Sequence, residues 1–279
     1  MKVLKTNKDL QEVLQQIRSE KSRLGFVPTM GALHEGHINL VSKSIDENDF
    51  TIVSVFVNPK QFNNVEDFEK YPNTVQSDIN LLEKAGCDYL FLPDFNEVYT
   101  SAYEPINIDL GGLNDVFEGP LRPGHFDGVV QVVNILFRLV QPDMAYFGLK
   151  DYQQCMVIKA LRDQKYPKIN LSLCPTVRAQ SGLALSSRNK RLSDKGLDTA
   201  AYIYKALKTV NELKKHIEAD DAVKYGLHIL STHHIEIEYF ALANADTLQV
   251  SRKWLRSGKN VVLAAVWIEG VRLIDNIVF

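Results

Sequence analysis

Residues 25–40 read GFVPTMGALHEGHINL, and the fold class turns on how this stretch is taken. A short apolar strand, Leu24 to Val27, runs into Pro28 and a Thr-Met-Gly-Ala turn. His34, Glu35, Gly36 and His37 follow, and then the apolar positions Ile38, Leu40, Val41 and Ile45 of a helix. Two histidines three residues apart at the mouth of a helix share one side of it. Gly36 between them leaves the backbone open to a ligand. A helix N-terminus presents unpaired N–H groups and a partial positive charge, which suit phosphate. The imidazoles add donors whose charge can rise as negative charge develops on the ligand. A lone histidine here would be an ordinary capping or surface residue; the pair, with two glycines in a strand–turn–helix frame, makes a phosphate site the competing reading.

Outward from this stretch the pattern repeats. Lys8 to Ser22 has helical spacing at Leu10, Val13, Leu14 and Ile17, with Asn7 available as its cap. Phe50 to Val57, FTIVSVFV, is a near-continuous β-branched run of the kind a central parallel strand needs, and it breaks at Asn58-Pro59-Lys60-Gln61-Phe62. Thr74 to Ala85 reads as a helix closed by Gly86, and Asp88 to Leu92 as a strand. Tyr99 to Gly124 is loop-like, with one possible strand at Ile106 to Leu110. Asp127 opens a helix stopped by Pro142; Met144 to Phe147 is a strand, Gly148-Leu149-Lys150-Asp151 a turn, and a helix runs on to about Gln164. Ile169 to Cys174 is the last strand of this series. The alternation predicts an α/β, Rossmann-like, doubly wound parallel sheet over residues 1–174. Near Pro175 the character changes. A long helical region from about Ser193 to Thr232 precedes three strands, Ile235 to Ala243, Asn260 to Ile268 and Val271 to Val278, with a tight turn at Glu269-Gly270. Residues 175–279 are therefore expected to form a smaller α+β domain.

Composition narrows the function. With 279 residues, 45% of them hydrophobic, the chain can build one large core or two ordinary ones. A net charge of −2 gives no global field for nucleic acid or anionic membrane, so neither is expected as a partner. Cys87, Cys155 and Cys174 have no metal-ligand spacing and read as buried small hydrophobes. The N-terminal residues lack a signal-peptide apolar block and no run is long enough to span a bilayer, so a soluble, cytoplasmic protein is expected.

Three further constellations join the histidines. Asn58 and Gln61 follow a strand end, where open α/β sheets bind ligands, and amides suit hydroxyl and carboxylate groups. Gly148, Lys150, Asp151 and Gln154 lie at another strand-to-helix junction; the lysine can neutralise phosphate and the aspartate accept from ribose, or the two can be a solvated charge pair. Leu185-Ser186-Ser187-Arg188 sets two hydroxyls beside a guanidinium that can grip two oxygens, or is a polar linker with a capping serine. Singly each is ordinary; together they supply what a polyphosphate needs.

In order along the chain, PTMGALHEGH, FVNPKQF, RPGHFDGV, FGLKDYQQ, LALSSRN and RLIDNI resemble the pantoate–β-alanine ligase family nearly from end to end. HxGH alone would indicate only the wider nucleotidyltransferase superfamily; FVNPKQF and KDYQQ are far more specific. The resemblance implies a Rossmann-like domain with a C-terminal lid, usually as a homodimer, that condenses pantoate with β-alanine through a pantoyl adenylate, releasing AMP and pyrophosphate, on the route to coenzyme A. It implies ATP as substrate with Mg²⁺, no tightly bound organic cofactor and no protein metal ligand that can be named. ATP would be lined by Met30, Gly31, Ala32, Leu33, His34, Glu35, Gly36 and His37, by Gly148, Leu149, Lys150 and Asp151, by Val177 against adenine, and by Leu185, Ser186, Ser187 and Arg188. His37, His34 and Lys150 would be the catalytic groups, His37 being the family's assigned acid and read here as a charge-assisted donor. Gln61 and Gln154 would hold pantoate, Gln61 also lying near β-alanine, and Asn58 would help hold the intermediate. Leu149 and Gln180-Ser181 depart from what many relatives carry, at positions given no chemical role. The competing readings are another HxGH nucleotidyltransferase and a non-catalytic nucleotide-binding module.

Overall fold

The computed structural model describes residues 1–62, 68–69, 71–72 and 74–279. They divide into two compact units. The first comprises Met1–Leu110, Glu118–Leu149 and Gln154–Pro175; the second comprises Gly111–Phe117, Lys150–Gln153 and Thr176–Phe279.

The first unit holds six strands, β1 (Lys2–Leu4), β2 (Leu24–Thr29), β3 (Phe50–Val55), β4 (Tyr89–Phe91), β5 (Met144–Gly148) and β6 (Asn170–Cys174). They pair parallel in the order β1-β4-β3-β2-β5-β6. Helices α1 (Asn7–Ser19), α2 (Glu35–Glu47), α3 (Val75–Lys84), α4 (His125–Val140) and α5 (Tyr152–Lys165) connect or flank them. The strands alternate between two buried faces. Val27, Val53, Leu90 and Tyr146 share a core with Leu40 and Val41 of α2 and Leu82 of α3. Their chain neighbours Phe26, Ile52, Phe91 and Ala145 are equally buried, and the two-residue period sends them to the opposite face. Gly25 lets α2 lie close: a Cβ there would come within 2.1 Å of Ser44 Oγ.

The order reverses between β2 and β5, so a crevice opens beyond their carboxyl ends. Pro28 lies inside β2, one step further than the sequence places the strand end. The β2–β5 register covers Gly25 and Phe26, whereas β2–β3 runs on through Thr29. Thr29 O accepts from Phe56 N on the β3 side, so by alternation Pro28 turns its missing donor toward β5, beyond the paired stretch.

Two local expectations give way, and one strand is additional. Thr6, not Asn7, caps α1: its Oγ1 accepts from Asp9 N, and Asp9 Oδ2 accepts from Thr6 N in return. Ile106–Leu110 forms no strand, because side-chain amides take its backbone groups. Gln131 pairs with the N–H and C=O of Ile106, and Gln164 with those of Asp109. β1 was not foreseen; three residues are too few to show alternation.

The second unit is a three-stranded antiparallel sheet, β7 (Glu236–Asn244), β8 (Asn260–Ile268) and β9 (Val271–Val278), ordered β7-β8-β9. Covering it are α6 (Asp194–Leu213) and α7 (Ala219–Thr232), whose Ile203, Leu207, Val210 and Leu230 form one core with Leu242, Val262, Val266 and Leu273. The helical region expected from about Ser193 to Thr232 is two helices, with a break at 214–218. A continuous helix of some forty residues would extend about 60 Å. Strands of nine residues cover about half of that. Folding back buries the apolar face of both halves, and Trp254 Nε1 donates to Ile217 O at the break. Glu269 and Gly270 both have positive φ, as a two-residue type I′ hairpin turn requires. Among the described residues no helix is long and apolar enough to cross a membrane. All three cysteines are buried, and burial pushes the Cys87 thiol up to about 12.

Candidate functional site

The turn after β2 is held from two sides. Thr29 Oγ1 donates to Ser54 O at 2.8 Å and accepts from Gly31 N at 3.2 Å. Gly31 and Ala32 then take positive φ in succession, 79° and 51°. For alanine that conformation costs roughly 1–2 kcal/mol. The turn aims the consecutive N–H groups of Ala32 and Leu33 at one point, a concavity for an anion. The anion is internal: Asp78, buried in the first turn of α3, accepts from Ala32 N at 3.0 Å and Leu33 N at 2.8 Å. Thr74 Oγ1 donates to the same carboxylate at 3.1 Å.

Out of that turn the chain enters α2 through a capping box made of two histidines. His34 is the N-cap, and its Nδ1 accepts from Gly36 N at 3.1 Å. His37 Nδ1 accepts in return from His34 N at 3.3 Å, and the ring centroids are 4.1 Å apart. A neutral imidazole whose Nδ1 accepts must carry its proton on Nε2. The backbone thus fixes both tautomers and makes both Nε2 atoms donors at a helix N-terminus. Glu35 between them is exposed, where a first-turn carboxylate complements the helix dipole.

Beyond β3, Asn58 uses its whole hydrogen-bonding capacity inside the protein. Its Nδ2 donates to Gln61 Oε1 and Gly128 O, both at 3.1 Å, and its Oδ1 accepts from Lys60 N and from Tyr99 OH. Burial pushes the Tyr99 phenol well up, so it stays a donor. Gln61, also buried, turns its Nε2 to Met30 Sδ, and His125 Nδ1 donates to its backbone carbonyl at 2.8 Å. α4 approaches so closely that a Cβ on Gly128 would sit 2.3 Å from Lys60 O. Asn58 therefore bears on Gln61 directly. Gln154 lies half-buried near the start of α5, next to Gln153, whose Nε2 donates to Leu113 O and Val116 O.

β5 ends at Gly148, and the turn Leu149–Asp151 carries the chain into the second unit. There Lys150 Nζ and Asp151 Oδ1 pair at 3.1 Å. Asn276 Nδ2 of β9 donates to Lys150 O at 2.9 Å, and Tyr152 OH donates to Ala245 O at 2.8 Å. Val177 and Leu185 come together across a narrow loop, Leu185 N donating to Val177 O at 3.0 Å. Gln180 and Ser181 lie in its exposed tip. Arg178 anchors it: the guanidinium is 3.7 Å from the Tyr204 ring centroid and grips Asp275 at 2.6 and 2.9 Å. Burial pushes the Asp275 carboxyl up, and the guanidinium and the Asn276 N–H oppose that push. Ser186 caps the short helical turn Ser187–Arg191, its Oγ accepting from Arg188 N.

The residues singled out from the sequence thus lie at the β2 and β3 ends of the first unit, at its Gly148, Leu149 and Gln154, and at the Lys150–Asp151 and 177–188 segments of the second. Sequence reasoning missed Asp78, His125 and Asn276. His125 and Asn276 sat in quoted motifs, RPGHFDGV and RLIDNI, without a role. Asp78 left one trace, a carboxylate on the side of α3 that also carries Leu82. Among the described residues no group of three His, Cys, Asp or Glu is placed to hold a metal ion.

A parallel sheet whose reversal point leads into a helix headed by two ε-protonated imidazoles defines an HxGH nucleotide-handling α/β enzyme. Comparison with known proteins narrows this: the chain belongs to the pantoate–β-alanine ligase family, whose model matches residues 2–278. It is 45% identical to the pantothenate synthetase of Cytophaga hutchinsonii over 275 residues, 96% of this chain and 97% of that one. With the Bacteroides thetaiotaomicron pantothenate synthetase it shares 43% identity over 99% of its length and 98% of the relative's. A crystal structure of the Thermus thermophilus enzyme superposes with a TM-score of 0.92 at 38% identity, covering 99% of both chains. The Francisella tularensis pantoate–β-alanine ligase, complexed with βγ-ATP and β-alanine, superposes at 0.80 with 35% identity, covering 99% of this chain and 97% of that one. The chain is an ATP-utilising ligase that forms the C–N bond between pantoate and β-alanine.

Proposed function

We propose that the ligase works through a pantoyl adenylate, and that the two ε-protonated histidines at the head of α2 are the observation that carries this reading. A free carboxylate is a poor electrophile. Its oxygen attacks the α-phosphorus of ATP, the bond to the β-phosphate oxygen breaks, and pyrophosphate departs. The β-alanine amine then attacks the activated carbonyl, loses a proton, and AMP leaves. Such steps need positioning and charge stabilisation more than a protein nucleophile.

In this reading His34 and His37 donate to phosphate oxygens, His37 to the transition state and the departing pyrophosphate, within an ATP-binding stretch of Met30 to His37. Because Asp78 already takes the N–H groups of Ala32 and Leu33, those two residues shape the site and do not donate through those groups. Gly148 to Asp151 take the nucleotide, Lys150 on phosphate and Asp151 on ribose; Val177 lies against adenine and Leu185 to Arg188 serve the phosphates. Gln61 and Gln154 hold pantoate, with Gln61 near β-alanine and Asn58 acting through Gln61. Mg²⁺ arrives with ATP as part of the substrate, held chiefly by phosphate oxygens and water. The assignment of residues 1–174 as catalytic domain and 175–279 as lid rests on the change of sequence character near Pro175 together with the family likeness. A cytoplasmic setting rests on the sequence reading, and homodimer formation and the lack of a bound organic cofactor rest on the likeness alone. Identical hydrogen-exchange protection of 175–279 with and without ATP would count against the lid.

The deciding experiment is pyrophosphate release from MgATP and pantoate, with and without β-alanine, in the native protein and in His37→Ala. A single-turnover burst without the amine, sustained turnover with it, and a loss of about 10²–10³ in the variant are expected. Pyrophosphate release that waits for β-alanine would exclude a separate adenylate.

A further inference from the structure

We propose that Asp78 is a positioning residue for the His34–His37 pair, an inference that rests on the reading of those histidines as phosphate donors. The path is short and continuous. The Asp78 carboxylate takes the N–H groups of Ala32 and Leu33, the two residues that lead into the N-cap. His34 N, the next backbone donor, is the group that fixes His37 Nδ1 as an acceptor. Nothing in the local backbone favours this arrangement, since Ala32 holds a left-handed conformation that an L side chain rarely adopts. What offsets that strain is the carboxylate, aimed from α3, buried, and steadied by the Thr74 hydroxyl. Without it, two buried N–H groups lose their acceptor, and relaxing Ala32 would rotate the peptide that feeds the capping box. Asp78 thus acts on the ligand only through the imidazoles, by fixing which nitrogen carries the proton and where it points.

Asp78→Asn tests this with little change of shape. An amide keeps one acceptor but offers a donor to the second N–H. The first readout is two-bond ¹H–¹⁵N correlation of the imidazoles. In the native protein both rings should show the proton on Nε2; in Asp78→Asn at least one should become a mixture of tautomers. The second readout is pyrophosphate release, expected to fall about ten- to a hundredfold, the scale of a small misplacement of reacting groups. In a His37→Ala background the same change should cost less than about threefold, because the imidazole that Asp78 reaches through His34 N is gone and His34 keeps its own bond from Gly36 N. A general loss of stability would instead lower activity equally in both backgrounds. Should Asp78→Asn fail to fold by circular dichroism, Thr74→Val keeps the carboxylate, removes its hydroxyl partner, and should shift the same readouts in the same direction by a smaller amount. Unchanged imidazole spectra, or a loss that multiplies fully with His37→Ala, would overturn the proposal. Full activity in His37→Ala alone would overturn the donor reading, while the imidazole spectra would still report whether Asp78 sets the tautomers.

Discussion

The turns that follow β2 and β5 present their polar groups by opposite means. The histidine pair is fixed by bonds two and three residues long, Gly36 N to His34 and His34 N to His37. The Lys150 turn is held from 126 residues away, by Asn276 on the last strand. Tyr152, two residues on, is tied to Ala245 across 93 residues. The first constellation needs only its own helix and the Asp78 carboxylate within the first unit; the other exists only once the C-terminal sheet has folded. Damage to the second unit's core should therefore disable Lys150 without disturbing the histidines.

The largest expected effect tests that dependence. Arg178→Met leaves Asp275 buried without its cation, and breaking one side of a buried pair typically costs about 3–5 kcal/mol. The loss should be greatest at neutral pH. With the guanidinium gone the folded carboxyl titrates further above its unfolded value, so the folded state binds the proton first. Stability should then return as pH falls toward the ordinary aspartate range and be lost again as pH rises. Urea unfolding of the native protein and the variant at pH 7 and pH 5 checks this; a penalty equal at both would mean Asp275 does not carry the charge.

Next in size is His34→Asn, which separates the two duties of the N-cap. Asparagine caps as well as any residue, so the melting temperature should hold to within about 2 °C. The amide has no equivalent of Nε2–H, and turnover should fall by about 10²–10³. A stable variant of near-native rate would reduce His34 to a cap and leave His37 as the functional histidine.

Smaller again is Asn276→Leu. It removes the hydrogen bond to Lys150 O, a bond typically worth about 1 kcal/mol net, and leaves that carbonyl short of a partner. Turnover or the KM for ATP should worsen about tenfold, and the change should nearly vanish in a Lys150→Ala background. Undiminished loss in that background would make Asn276 merely structural.

The same contrast explains what could be read before the structure was known. The six parallel strands follow from apolar runs bounded by turns, and the histidines from their spacing at a helix start, because both are local patterns. Asn58 and Gln61 were legible as polar groups after a strand, but not that Asn58 spends all its bonds on Gln61, Gly128, Lys60 and Tyr99. Asp78, His125 and Asn276 act on groups 45 to 126 residues away, and no spacing encodes such a partner. The false strand at Ile106–Leu110 failed likewise: its backbone groups found glutamine side chains 25 and 55 residues on.

Helix capping repeats the comparison at its smallest scale. α1 is closed by Thr6 and Asp9, three residues apart. α6 is closed by Ser193, which is itself gripped by Glu269 across 76 residues, through Oγ at 2.5 Å and N at 2.8 Å. Both carboxyls are held below their ordinary values, Asp9 by the backbone and hydroxyl of Thr6, Glu269 by the hydroxyl and backbone of Ser193. A depressed folded value means each tie stabilises fully above the unfolded value and is lost as pH falls through the folded one. Both groups are exposed, so each effect is small. Asp9→Asn and Glu269→Gln should each flatten the acid limb of the stability curve slightly. They should differ in where hydrogen exchange quickens at acid pH: the first turn of α1 for Asp9, but both α6 and the Glu269–Gly270 turn for Glu269, since that bond joins two elements. Faster exchange confined to α6 would show that the long-range tie is no more than another local cap.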